Sequence, residues 1–250
     1  PSIDTHAPDL PLALHLTPTH VTLYVDTSGE PLFKRGWRDA RAAGRDVTGE
    51  APLKETLAAA MLAAAGWQGR AEDGVLLDPC CGAGTIAIEA AQIACGIAPG
   101  LERRFAFERL APWRDQLGGW KDLREAARGR IHASAVPICA GDVSFRMTDF
   151  ATRNAVRAGV ARAIEFKTAD ALQRLPPAER GVLVLNPPYG ERIGAKGHGR
   201  PASGATPGTT AREDFAGGGT PAAFFADLAG HWKRNNTGWT AWVLSPEMKL

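Results

Sequence analysis

The sequence lacks most of the features that mark special-purpose chains. Cysteine occurs four times in 250 residues, at Cys80, Cys81, Cys95 and Cys139. No two of them form a C-x-x-C pair, which argues against a zinc site, so no metal is expected. No apolar run approaches the roughly 18 to 20 residues of a membrane span, and the amino terminus has no signal-like pattern. The expected setting is a reduced cytoplasm, without a membrane partner. The formal net charge is only +2, so global charge does not announce a nucleic-acid binder and the placement of basic residues has to carry that argument. Hydrophobic content of 44% and charged content of 22% are those of an ordinary soluble globular protein. The length suits one large domain or two small ones.

The most informative stretch is Asn186-Pro187-Pro188-Tyr189, which follows the run Gly-Val-Leu-Val-Leu at 181–185. A short aliphatic run bounded by glycine and proline reads as a buried strand. Its carboxyl end is where open α/β sheets place their chemistry. Each proline fixes its own φ and drives the residue before it to extended geometry, so Asn186 sits on a stiff backbone. The two prolines also remove amide donors, leaving carbonyls beside the Asn186 carboxamide and the Tyr189 ring. Two acceptors next to a stacking surface suit a planar amine. A plain strand-ending turn is the alternative.

Upstream, 75–78 reads as the first sheet strand, followed by Asp78-Pro79-Cys80-Cys81-Gly82-Ala83-Gly84-Thr85 and a helix over 86–94. Gly82 and Gly84 permit backbone geometries closed to other residues and a close approach by a ligand. The helix start behind them offers free N–H groups to a carboxylate. The G-x-G alone also fits a dehydrogenase, yet the dinucleotide fingerprint needs a third glycine, and position 87 is alanine. A strand over 136–140 ends in Gly141-Asp142, and an acid at that tip suits two ribose hydroxyls. Further strands are expected over 163–166 and 239–244, and helices over 50–65, 121–130, 147–158 and 221–232. Strand and helix alternate from residue 75 onward, which predicts a doubly wound, mostly parallel α/β sheet.

Outside that frame, 12–24 reads as two short strands with a turn at 26–29, a small β element. Lys34, Arg35, Trp37 and Arg38, with Arg41 and Arg45, either meet RNA phosphates and a stacked base or form a solvated charged connection. Residues 98–120 form an aromatic and basic excursion. Residues 194–220 are rich in Gly, Ala, Thr and Pro and read as a flexible insert, either a lid or a disordered segment. The chain opens on Pro1 without a methionine and has no room after 244 for a further hairpin, so a fragment is expected.

Asn186 to Tyr189 together with Asp78 to Thr85, 32–38, 50–56, 98–101, Asn154-Ala155 with Ala158-Gly159, and Gly190 to Arg192 resembles the THUMP-containing bacterial 23S rRNA guanine-N2 methyltransferases. The resemblance covers most of residues 12–250. It implies a class I S-adenosylmethionine-dependent, Rossmann-like domain over 49–250, with 1–48 as a linker and β element from the end of a THUMP-type region. The implied reaction moves a methyl group from S-adenosylmethionine to the exocyclic N2 of a guanosine, with S-adenosylhomocysteine as product. Asn186, Pro187, Pro188 and Tyr189 become the catalytic turn. Asp78, Pro79, Cys80, Gly82, Gly84 and Thr85 become cofactor ligands with Asp142 at the ribose and Asp170 near the adenine amine, a turn aspartate being the alternative for Asp170. Arg103 and Arg104 join the RNA-facing set, and the partner is 23S rRNA or a ribosomal assembly intermediate. Alternatives are tRNA guanine-N2, DNA adenine-N6 or protein glutamine methylation, or a non-catalytic RNA-binding module. Departures from the family pattern are the missing THUMP region, the insert after Gly194 and the absent final hairpin.

Overall fold

A computed structural model describes residues 11–38, 53–187 and 221–245. Pro188 and Tyr189, Arg41 and Arg45, the start of the expected 50–65 helix and the 194–220 insert lie outside the described residues. The packed chain divides into two compact units. Of the described residues, one comprises 11–36 with Ile97–Ile131, the other 37–38, 53–96, 132–187 and 221–245. This differs from a linear division at 48/49, because the 97–131 excursion packs with the amino-terminal element.

In the first unit, β1 (Leu12–Leu16) and β2 (Val21–Val25) form an antiparallel hairpin in the register Leu12↔Val25 to Leu16↔Val21. The turn predicted at 26–29 is present: Asp26 Oδ1 accepts hydrogen bonds from the Ser28 and Gly29 amides at 2.8 and 3.2 Å. The excursion contains short 3₁₀ turns at Ala106–Arg109 and Ala111–Gln116 and then helix α3 (Leu117–Arg128). Phe105 and Phe107 meet the Trp120 ring edge-on at centroid distances of 5.4 and 5.2 Å, a favoured aromatic geometry. The rings are partly buried, and the segment's buried apolar residues are Leu101, Ala106, Leu110 and Ala127.

The second unit is built on a five-stranded, all-parallel sheet. Helix α1 (Glu55–Ala64) precedes β3 (Val75–Asp78), α2 (Thr85–Ala94), β4 (Ile138–Asp142), α4 (Phe145–Arg157), β5 (Ile164–Thr168), β6 (Gly181–Leu185), α5 (Pro221–Asn235) and β7 (Trp239–Val243). The strand order is β5-β4-β3-β6-β7. Every strand read from the sequence is present, with ends moved by one or two residues.

Burial explains the sequence pattern. The central strands β3 and β6 are nearly continuous apolar runs because both faces are covered. The edge strand β5 leaves Glu165 and Lys167 exposed. On one face Val75, Leu77, Cys139, Leu183 and Leu185 pack with Ala171 and with Leu228 of α5. The alternating residue Leu76 serves the opposite face, and α2 touches β3, β4 and β5. Almost all of α2 is buried, consistent with a helix apolar on every side. Each large core side chain contributes about 1.5–3 kcal/mol of burial free energy. Building outward from β3, the sheet grows first through β4 to β5 and then reverses to β6 and β7. The carboxyl ends of β3 and β6 therefore flank the topological switch point, where open α/β sheets form their ligand crevice.

Candidate active site

β3 delivers Asp78 to the switch point, 1% exposed. Its Oδ1 accepts a hydrogen bond from the Cys80 amide at 3.2 Å, whereas Oδ2 is buried without a hydrogen-bond partner. Burial pushes this carboxyl well above the ordinary carboxylate range; the Cys80 N–H pulls it down in part and the charge of Asp142 adds to the rise. On the neighbouring strand, Asn186 follows the last residue of β6, and its Oδ1 is likewise buried and without a hydrogen-bond partner among the described residues. An orphaned buried acceptor costs about 1–3 kcal/mol. Two of them at adjacent strand ends could accept donors from a ligand.

The loop between β3 and α2 is held on three sides. The Cys81 amide donates to the Gly141 carbonyl at 2.7 Å. Gly82 N–H donates to Asp142 Oδ2 at 3.0 Å, and Asp142 Oδ1 accepts from the Ser144 amide at 2.9 Å. Asn154, fully buried in α4, donates from Nδ2 to the Ala83 carbonyl at 2.8 Å. Gly82 and Gly84 both adopt positive φ, +51° and +86°, as the G-x-G reading requires. A Cβ on Gly84 would lie 2.9 Å from the Ala151 Cβ, whereas the Cβ direction of Gly82 meets nothing within 4 Å. The first glycine faces open space and the second lets α2 approach α4.

Asp142 is raised above the ordinary range, chiefly by burial and against the pull of the Ser144 and Gly82 amides. Asp170, at the end of β5, accepts from the Leu172 amide at 2.9 Å, the turn role foreseen as its alternative. It still belongs to the same locality, because the charges of Asp78, Asp142 and Asp170 all act on the Cys80 thiol. Burial, above all, pushes both the Cys80 and Cys81 thiols well up; they are neutral pocket walls, not nucleophiles. Three carboxylates, an open glycine and the start of α2 form a donor set suited to a ligand carrying an ammonium, vicinal hydroxyls and a carboxylate. A separate cavity of about 320 Å³ opens along β5 and residues 169–177, lined by Lys167, Gln173 and Arg174 among others; it contains none of these carboxylates.

The basic residues divide. Arg103, expected to face RNA, is 5% exposed; its guanidinium donates to the carbonyls of Pro31 at 2.7 Å, Lys34 at 3.0 Å and Glu30 at 2.5 Å. It is a clamp inside the first unit, so it leaves the RNA-facing set. Trp37 is equally buried, with the Arg38 guanidinium 4.7 Å from its ring centroid, so it offers no open face to a base. Arg38 is turned inward to Glu55 at 3.1 Å and to the Thr85 hydroxyl. Lys34 is half-exposed and paired with Glu30, Arg35 donates to the Leu32 carbonyl at 2.9 Å, and Arg104 is exposed. Sequence reasoning noticed Asn154 as part of a motif but gave it no role, and missed Arg157, which donates to Asn154 Oδ1 and, at 3.1 Å, to the Trp37 carbonyl. An asparagine inside an amphipathic helix with an arginine three residues on was the available signal.

A family model described as "RMKL-like, methyltransferase domain" matches residues 42–227. The chain is 47% identical over 180 residues to the ribosomal RNA large subunit methyltransferase K/L of Shewanella baltica (strain OS195), covering 70% of this chain and 24% of that protein. The chain thus spans about a quarter of the length of the curated relatives it matches. A solved structure of a predicted N6-adenine-specific DNA methylase from Listeria monocytogenes superposes with a TM-score of 0.72 at 32% identity, covering 95% of this chain and 53% of that one. A putative methyltransferase complexed with S-adenosylhomocysteine gives 0.74 at 28% identity, covering 97% and 55%. The fold is therefore the class I methyltransferase fold, with S-adenosylmethionine as cofactor, and the chain belongs to the RMKL-like methyltransferase domain family.

Proposed function

We propose that the chain transfers a methyl group from S-adenosylmethionine to the exocyclic N2 amine of a guanosine in 23S rRNA, free or in a ribosomal assembly intermediate, in the cytoplasm and without a metal. The observation that carries this reading is the Asn186 Oδ1 just beyond the carboxyl end of β6, buried without a hydrogen-bond partner among the described residues, as is Asp78 Oδ2 at the end of the neighbouring β3. The name of the Shewanella relatives supports ribosomal RNA as substrate.

The cofactor supplies the methyl group as an electrophile on sulfur. Asp78 Oδ2 is assigned to its ammonium, Asp142 to the ribose hydroxyls and Asp170 to the adenine amine; Gly82, Gly84 and Thr85 make room for its carboxylate, and Pro79 and Cys80 line the pocket. Asn186 Oδ1 accepts a hydrogen bond from the target amine and the Pro187 carbonyl accepts a second, which aims the nitrogen lone pair away from the ring. Tyr189 is assigned to stacking on the base; it and Pro188 lie outside the described residues. A guanosine within a helix leaves its stack to reach such a turn. Positioning and electrostatics then supply most of the catalysis. Lys34, Arg35 and Arg104 remain the candidate phosphate contacts.

The amine-binding turn suits adenine N6 as well, and the name of the Listeria structure favours that second reading. Nucleoside mass spectrometry decides between them. 23S rRNA from cells lacking the gene is expected to lose one N2-methylguanosine, regained with the wild-type gene and not with Asn186→Ala. An unchanged rRNA profile, with methyl transfer to adenine in DNA, would overturn the ribosomal assignment.

A further inference from the structure

We propose that Arg38 is a positioning residue for the cofactor loop, acting through the hydroxyl of Thr85. The inference rests on the assignment of the 78–85 loop to S-adenosylmethionine and goes beyond it, because Arg38 lies well outside the loop in sequence.

Arg38 is largely buried, its side chain 15% exposed. Its Nε pairs with Glu55 Oε1 at 3.1 Å, Nη1 donates to the Leu53 carbonyl at 3.4 Å and Nη2 donates to Thr85 Oγ1. Glu89, one turn along α2 from Thr85 and itself buried, adds its charge to that of Glu55 around the guanidinium. Arginine is suited to such a place because its planar fork reaches several acceptors at once and stays charged. Directed inward in this way, the group serves the fold of the loop and not a phosphate.

The consequence falls on Thr85, the first residue of α2 and 4% exposed. A hydroxyl carries a single hydrogen. With its oxygen accepting from Arg38, Thr85 is fixed as a donor toward another group, beside the free amides of the first turn of α2, where a carboxylate is favoured. Arg38 thereby orients one donor and places a positive charge one residue behind it. The same dipeptide reaches the loop by a second route: the Trp37 carbonyl accepts from Arg157, which holds Asn154, which holds the Ala83 carbonyl. Positions 83 and 85 are thus both set from residues 37 and 38.

The test is calorimetric titration of S-adenosylhomocysteine into the full-length protein without RNA. Removing Arg38 alone would take a cation from the buried Glu55 carboxylate, a cost of folding, so the comparison is Glu55→Gln against Glu55→Gln with Arg38→Met. The second variant is expected to bind about tenfold more weakly, the worth of one hydrogen bond to a charged group, and to raise KM for the cofactor more than it lowers kcat. Thr85→Val is expected to give a similar loss, Thr85→Ser to recover most of it, and the triple variant to lose no more than either part alone. Additive losses would overturn the route through Thr85. Unchanged affinity for S-adenosylhomocysteine with weakened RNA binding would overturn the proposal and restore Arg38 as a phosphate contact. Absence of binding by the wild type would overturn the cofactor assignment itself, and this proposal with it.

Discussion

Asn186 is the residue where stability and activity are expected to part. Its carboxamide oxygen is buried without a hydrogen-bond partner among the described residues, so the free protein bears the cost of an unsatisfied acceptor, of about 1–3 kcal/mol. Asn186→Ala removes that acceptor, and the melting temperature in the absence of ligand is expected to hold or rise slightly. Methyl transfer is expected to fall by about two to three orders of magnitude, the usual loss when one positioning dipole is removed from a reacting centre. Affinity for S-adenosylhomocysteine is expected to stay near wild type, because the ligands proposed for the cofactor lie at or just beyond the ends of β3, β4 and β5. Paired calorimetry and single-turnover assays check this. A matching loss of cofactor affinity and rate would sink the division of labour between the two strand ends. Asn154 makes the opposite case, since both its amide and its carbonyl oxygen are engaged. Asn154→Ala leaves the Ala83 carbonyl without its donor, and it is expected to cost about 1–3 kcal/mol of stability, measured by urea unfolding, and to weaken cofactor binding as well.

At the scale of elements, the packing of α2 against α4 depends on Gly84. The positive φ of +86° disfavours any other residue by about 1–2 kcal/mol, and a Cβ there would stand 2.9 Å from the Ala151 Cβ, adding an overpacking cost of about 1–3 kcal/mol. Gly84→Ala is therefore expected to destabilise by roughly 2–5 kcal/mol, the sum of those two terms. Adding Ala151→Gly is expected to recover the steric part but not the conformational part, which chemical denaturation can resolve. No recovery would show that the close approach is not what selects glycine. Elements of this kind were the most legible from sequence. The switch-point strands are nearly continuous apolar runs, Gly82 and Gly84 fall where φ is positive, Asp78 and Asp142 end their strands and Asn186 follows one. Long-range side-chain contacts were not legible. Arg38 and Arg103 each stand in a basic, aromatic stretch that reads as an RNA surface, and only the fold shows their guanidiniums turned to carbonyls and a carboxylate 15 to 75 residues away in the chain. Local composition reports the charge of a segment but not the direction its side chains take when distant elements pack around them.

For the whole molecule, the buried carboxyls link folding, pH and cofactor. Asp78 and Asp142 are both raised, chiefly by burial. Below the unfolded-state value both states are protonated and these groups contribute nothing. As pH rises from there through the raised native values, the folded state retains protons that the unfolded state has lost, so stability falls; above that window the full cost of burying the charges applies. Asp73 works in the other direction and lower: hydrogen-bonded to Arg70, it is lowered to about 2, so its contribution is present above the unfolded value and disappears as pH falls through about 2. The two effects separate in the difference between wild type and Asp78→Asn, in which the share due to Asp78 vanishes and the part below it is unchanged. On the proposed assignment, a cofactor donating to Asp78 and Asp142 would favour their ionised forms. Its affinity is therefore expected to rise with pH across the window in which the stability of the free protein falls, and binding there is expected to release protons. Unfolding followed as a function of pH, with and without S-adenosylhomocysteine, measures both halves of that linkage. The ligand is expected to flatten the decline, and in Asp78→Asn much of that flattening is expected to be lost. A decline of the same slope with and without ligand would mean that the buried acids are part of the fold's framework and not of the cofactor's site.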